Sequence, residues 1–346
     1  MEIQNNINLQ DYNTFKLPSI SKYFCKIENI NDIKQLIKSP EFVWNKSYML
    51  WLWANTIFPE NFNWIVIKNE IKWKNILDEN ENSVSIKVWA GEVREDFVIR
   101  CAKNNFVWME NLAHIPSSVW ATAVQNIWAY WSEVKDIISQ VEYAVYDDNW
   151  KVDIKTIAWD DCKFWYRDSI FKHELKNNIV ILSVTYKLKK YTSDYQFKTE
   201  YAWIQQKIQE SWLDNQEIKP IDFVNIITEI RNSKLPDWKE IWTAWSFFKN
   251  PVVSKDVREW LSQKYPELKW FQVTDWIKLS AGQLIDMCWF KWKSNWKVWT
   301  YFKHALILVN EWWASWSDVL SFSSEIQTWV YQKFWVQLDP EAIFVQ

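Results

Sequence analysis

Thirty tryptophans against two glycines in 346 residues is the feature that most constrains this chain. Glycine is the residue that reaches positive φ at no steric cost, so turns, helix ends and ligand loops depend on it. An ordinary chain of this length has roughly 24 glycines, at about 7% usage. The two anomalies are complementary, because together the counts come close to an ordinary glycine-plus-tryptophan total. Many of the tryptophans also stand where only glycine makes physical sense. The hypothesis is that most of them are glycines, from a gene whose UGA codons mean glycine but are written out as tryptophan. Glycines from other codons would survive, as at Gly91 and Gly282. The codons decide: if the tryptophans are mostly UGG, the idea is dead.

The remaining composition is ordinary. Lys and Arg number 40 and Asp and Glu 43, for a net charge of -3. That balance gives no basic patch for nucleic acid and no charged tail. Cys25, Cys101, Cys162 and Cys288 are far apart without a CxxC pair, which reads as reduced thiols rather than a disulfide frame or zinc site. His114, His173 and His304 are equally scattered, so no metal is expected. The first fifteen residues lack a signal-peptide pattern, and no apolar run reaches membrane-spanning length. The expectation is a cytoplasmic, monomeric protein that binds no membrane.

Strand and helix signals alternate through the chain. Short apolar runs at Tyr48–Leu52, Trp64–Ile67 and Val84–Val88 read as strands, as does the β-branched run Ile179–Tyr186. Asn31–Ile37 reads as a helix capped by Asn31. Apolar stripes predict helices at Asp222–Arg231, Ser254–Tyr265 and Ser317–Phe334. A last strand is expected over Pro340–Val345.

Four stretches are candidates for chemistry. Tyr48–Phe58 becomes a strand and a glycine-rich anion nest if Trp51 and Trp53 are glycines. Val107–Glu133 reads as a long loop system of small and amide residues with little core character, a length that usually carries function. In Cys162–Lys172, Arg167 sits among aromatics, as either a substrate clamp or a surface cation–π contact; residue types alone favour the surface contact. In Thr243–Pro251, Ser246 lies on a tight turn. It is either catalytic or structural, and no nearby His supports a hydrolase triad.

Together these stretches resemble the UDP-N-acetylenolpyruvoylglucosamine reductase (MurB) family. Leu50–Asn55 matches its phosphate loop, with tryptophan for both glycines and alanine for serine. Positions 108–131 match its long flavin segment once tryptophan is read as glycine, and 165–172 and 244–251 match two further motifs. Asn13-Thr14-Phe15, Lys234-Leu235-Pro236 and Leu338-Asp339-Pro340-Glu341 also match, so the likeness runs through the chain in order.

The resemblance implies an α+β fold, with a flavin-binding domain of the vanillyl-alcohol-oxidase type and a smaller α/β substrate domain. The divisions expected are 1–75 with a returning strand at 336–346, then 76–220, then 221–335. It implies FAD and NADPH as cofactors, and reduction of UDP-N-acetylglucosamine enolpyruvate to UDP-N-acetylmuramate in peptidoglycan synthesis. Arg167 and Glu341 are the implied charge stabilisers and Ser246 the implied proton donor. FAD would be held by Trp51, Leu52, Trp53, Ala54, Asn55, Thr56, Ser117, Ser118, Val119, Trp120, Ala121, Gln125, Asn126 and Ile127. Substrate would meet Tyr130, Tyr201, Lys234 and Asn250. Spacing from Tyr201 to Lys234 is longer than usual for the family. Two alternatives stand beside this reading. One is another flavin oxidoreductase of the same fold. The other is a tryptophan-rich binding module without catalysis, which would cluster its tryptophans on one exposed face.

Overall fold

The computed structural model describes residues 1–50, 55–147, 149–176, 178–211, 218–273, 276–311 and 313–345. The chain divides into two compact units. The first comprises Met1–Asn6, Lys22–Leu52 and Asn63–Ser233; the second comprises Ile7–Ser21, Trp53–Phe62 and Lys234–Gln346.

The first unit is built on a mostly antiparallel sheet whose central strand is Ile179–Lys190. This strand pairs with Ile138–Tyr146 on one side and Ser83–Trp89 on the other. Its β-branched residues are buried along nearly the whole run, as expected for a strand covered on both faces. A second sheet carries Ser47–Leu50 parallel to Asn61–Asn69. Ile33 and Leu36 of the first helix, and Ile37 just beyond it, belong to the core beside that sheet. That helix runs Ile30–Leu36 and is capped by Asn29, whose side chain accepts from the Asp32 amide. The expected cap, Asn31, instead lies inside the helix. Two asparagines in alternate positions offer the same chemistry, and the extended backbone of Asn29 decides between them.

The larger correction concerns residues 107–133. Rather than a loop system without core character, this segment is mostly interior. Helix Val119–Gln125 is buried at every position, and Met109, Leu112 and Ala113 join the same core. Small side chains alone signal a loop. Here Ala121, Thr122 and Ala123 belong to a helix with no exposed face, among the buried residues of the sheet.

Of the three helices predicted from apolar stripes, the second unit holds two, at Lys255–Lys264 and Trp316–Phe334; the third, Pro220–Lys234, belongs to the first unit as far as Ser233. The latter starts with a capping box between Ser315 and Asp318 and buries Val319, Phe322, Ile326, Val330 and Phe334. The strand expected at the end of the chain is short, Ile343–Phe344, and pairs parallel with Thr56–Ile57.

Real glycine is needed at Gly91, where a Cβ would come within 2.7 Å of the Glu70 backbone. Tryptophan takes glycine's other role. Trp108, Trp131, Trp150, Trp289, Trp292, Trp296 and Trp335 all have positive φ. Trp335 ends helix Trp316–Phe334 in the left-handed conformation, the position where helices commonly place glycine. Trp296, at φ 78, is 93% exposed.

Candidate active site

The first unit gathers aromatic and cationic side chains. Tyr130 has φ 48 and packs its ring edge-on against Tyr201 at 5.7 Å and Trp203 at 5.0 Å. The guanidinium of Arg231 lies 5.8 Å from the Tyr130 ring centre, and its Nε donates to His114 O at 2.9 Å. Burial pulls the Arg231 pKa down, the Tyr130 hydroxyl opposes this, and the charge of Arg167 adds to the fall. Arg167 is therefore electrically close to Arg231. Arg167 itself is half-buried.

Arg167 sits at φ 56 in a tight turn closed by paired backbone bonds between Trp165 and Asp168, each 3.1 Å. The buried helix 119–125 positions this turn. Asn126, which ends the helix in the left-handed conformation, donates to Trp165 O at 2.8 Å and to Glu133 Oε2 at 2.8 Å. Its own Oδ1 accepts from the Lys135 amide at 3.1 Å. Ser169 Oγ donates to Val124 O at 2.7 Å. The amide of Asn126 is thus spent on the protein, and Ser117 Oγ likewise accepts from Arg94 Nε at 3.1 Å. Ser118, Val119, Trp120, Ala121, Gln125 and Ile127 are buried around them.

Arg94 was not singled out in the sequence. Its guanidinium is fully buried and donates to the Leu112 and Ile115 carbonyls. Burial pulls it down to about 10, with Glu95 resisting. It pins residues 112–117 from below. The one local signal was a basic residue in the first turn of a helix, where basic residues are disfavoured.

The second unit brings together residues far apart in sequence. Ser246 has φ 47 and follows strand Thr243–Ala244. The amides of Glu341 and Ala342 both donate to Phe247 O, at 2.8 and 3.2 Å. Lys249 N donates to Asp339 O at 2.9 Å. Asn55 Nδ2 donates to the Trp245 carbonyl, and Asn55 O accepts from Ile343 N at 2.8 Å. Ser246, Glu341 and Asn55 therefore share one backbone-bonded junction. Thr56 is buried in the adjoining strand. Asn250 Oδ1 accepts from Ala281 N at 2.9 Å, at the start of helix Ala281–Met287. Lys234 is exposed at the end of helix Pro220–Lys234. Trp51, Leu52, Trp53 and Ala54 lie outside the described residues.

Comparison with known proteins decides the family. Residues 54–149 match the family model for an FAD binding domain, and residues 237–345 match that for the C-terminal domain of UDP-N-acetylenolpyruvoylglucosamine reductase. The UDP-N-acetylenolpyruvoylglucosamine reductase of Flavobacterium johnsoniae is 34% identical over 99% of both chains. That of Bdellovibrio bacteriovorus is also 34% identical, over 99% of each. This chain belongs to the UDP-N-acetylenolpyruvoylglucosamine reductase family. The crystal structure of the MurB reductase of Thermus caldophilus covers 99% of this chain with a TM-score of 0.67 at 18% identity, a likeness of fold. The fold is accordingly the α+β class, with an FAD-binding domain of the vanillyl-alcohol-oxidase type and the family's C-terminal domain.

An FAD site in a MurB-family chain needs polar groups that a dinucleotide can satisfy. Asn55 Oδ1 is buried with no hydrogen-bond partner among the described residues. Such an acceptor is costly unless a donor arrives, and the sugar and ribityl hydroxyls of FAD are donors. The donor chemistry fits the group. The indole of Trp120, 4% exposed, fills the helix start where the family motif has glycine. Among the described residues no cluster of metal-ligating side chains occurs, and no helix is long and apolar enough to cross a membrane.

Proposed function

We infer that this chain is an FAD-dependent oxidoreductase that reduces UDP-N-acetylglucosamine enolpyruvate to UDP-N-acetylmuramate with NADPH. FAD, when bound, takes up reducing equivalents from NADPH and supplies the hydride. Everything else falls to the chain's own residues. Hydride added to the vinyl carbon leaves negative charge on the neighbouring carbon and its carboxylate. Arg167, electrically close to Arg231, offers a fixed charge and a planar fork to that carboxylate. Ser246 Oγ delivers the proton; a hydroxyl is a weak acid and suits only a strongly basic acceptor. Glu341 acts by hydrogen bonding or in its protonated form, since an ionised carboxylate would repel the developing charge. Tyr130, Tyr201, Lys234 and Asn250 bind substrate. By the family motifs, FAD is contacted by Trp51, Leu52, Trp53, Ala54, Asn55, Thr56, Ser117, Ser118, Val119, Trp120, Ala121, Gln125, Asn126 and Ile127. The domain roles follow the divisions 1–75 with 336–346, 76–220 and 221–335. The working protein is a cytoplasmic monomer.

The observation that carries this reading is the junction of Ser246 with Glu341. Two residues assigned to one chemical step lie almost a hundred positions apart, yet the Glu341 amide bonds to the carbonyl of Phe247, the residue after Ser246. A flavin oxidoreductase with different chemistry has no need of that pairing.

The same reading holds that most tryptophans are glycines in the cell. Seven tryptophans at positive φ support it, two of them just beyond helices, at Trp289 and Trp335. Exposed tryptophans are divided between both units rather than gathered in one, which disfavours the binding-module alternative. The experiment is to express the gene with UGA decoded as glycine. A yellow protein that oxidises NADPH when given the enolpyruvate is expected. A colourless, inactive product overturns the function. Tryptophan found by mass spectrometry at positions 289 and 335 of the native protein overturns the recoding alone.

A further inference from the structure

Two adjacent buried side chains, Glu110 and Asn111, have no part in the chemistry above. Glu110 is 3% exposed and Asn111 2% exposed, on a single turn of 3-10 helix. Glu110 Oε2 accepts from the Trp108 amide at 2.6 Å, and Oε1 accepts from the Tyr195 hydroxyl. Asn111 Nδ2 donates to Tyr130 O at 3.3 Å and to Lys198 O at 3.1 Å. Lys198 Nζ in turn donates to Trp131 O at 2.7 Å. Residues 191–200 contain no helix or strand, yet they are bonded at Tyr195 and Lys198 to the turn at 128–131 and to this pair. On the other side Phe197 stacks on Phe223 of helix Pro220–Lys234 at 4.5 Å. Tyr201 follows immediately and packs against Tyr130.

We propose that Glu110 and Asn111 are positioning residues that latch residues 191–201 and thereby hold Tyr201 against Tyr130 for the nucleotide-sugar substrate. The proposal rests on the reading that Tyr130 and Tyr201 meet that substrate. Irregular backbone opens easily unless buried bonds hold it. A carboxylate accepting from a backbone amide and a phenol is among the stronger anchors available. The latch acts through Tyr201 and touches neither flavin nor reacting carbon. Its loss therefore changes substrate affinity and leaves the flavin half-reaction alone.

Three variants test this in the full-length protein. Tyr195→Phe removes the hydroxyl, and Glu110→Leu removes both anchor bonds at similar volume. Glu110→Gln keeps both, because its amide donates to the Tyr195 oxygen while its carbonyl accepts from Trp108. Trypsin cleavage after Lys198 reads the opening directly, since cleavage follows the open population. Losing a hydrogen bond to a charged group corresponds to about tenfold in that population. Tyr195→Phe and Glu110→Leu are expected to speed cleavage about tenfold and raise substrate KM with kcat and flavin content unchanged. Glu110→Gln is expected to behave as the parent. Unchanged cleavage in Tyr195→Phe overturns the latch, and so does faster cleavage with unchanged KM. If the parent protein fails to turn over the enolpyruvate, the function falls, and cleavage alone then decides the latch. Should Glu110→Leu fail to fold, Tyr195→Phe carries the test.

Discussion

The two units hold their functional residues by different means. In the first, side chains do the holding: Asn126 fixes the Arg167 turn, Arg94 pins residues 112–117, and Glu110 and Asn111 reach residues 195 and 198. In the second, backbone bonds do most of it: Glu341, Ala342 and Lys249 are tied by main-chain contacts to Phe247 and Asp339. A side chain in a backbone-held junction can be altered without moving its neighbours. A side chain that is itself the tie cannot.

Ser246→Ala should show the largest effect. It should slow flavin reoxidation by the enolpyruvate by about 10²–10⁴, the usual worth of a positioned proton donor. NADPH-driven flavin reduction and the melting temperature should stay at parent values, because the Ser246 junction is bonded through the main chain. Stopped-flow absorbance separates the half-reactions. Equal slowing of both would remove Ser246 from its role. Next comes Asn126→Ala in the first unit. It removes three part-buried hydrogen bonds at once, to the Trp165 carbonyl, the Glu133 carboxylate and the Lys135 amide, each worth about 0.5–1.5 kcal/mol. Urea unfolding should show a loss of several kcal/mol at most, along with weaker turnover as the Arg167 turn loosens. Parent-like stability would erase the contrast between the units.

Ser315→Ala breaks the capping box of helix Trp316–Phe334 at a cost of about 1 kcal/mol. Kinetics should not change, since Ser315 serves only the helix. The smallest effect concerns pH. Burial raises the Glu110 carboxyl above its ordinary 4.5, against the pull of Tyr195 and the Trp108 amide. A raised folded value means the folded state holds the proton more tightly. That stability is full below 4.5 and is lost as pH rises through the folded value. Glu110→Gln should flatten this fall in unfolding free energy with pH. An unchanged slope would mean Glu110 does not titrate with folding.

Much of this was legible in the sequence where local chemistry decides. The strand at 179–190 and the helix at 316–334 follow from β-branched residues and an apolar stripe. The site residues of the second unit were legible only as motifs, because Ser246 and Glu341 meet through main-chain bonds that no side-chain pattern records. The interior character of 107–133 was misread, since alanine, serine and threonine serve a close-packed helix as well as a loop. The anchoring role of Glu110 is not legible for a related reason. Its partner Tyr195 is 85 positions away, and a lone glutamate gives no sign that it will be buried.

The terminal pairing of Ile343 with Thr56 has a consequence for how this protein is made. Thr56 and its partner Ile343 are 287 positions apart, and the partner segment also carries Glu341. If the proposed recoding holds, a ribosome that reads UGA as a termination signal releases a fragment without that carboxylate and without the pairing strand. In a host with the ordinary code the gene would then be silent rather than partly active.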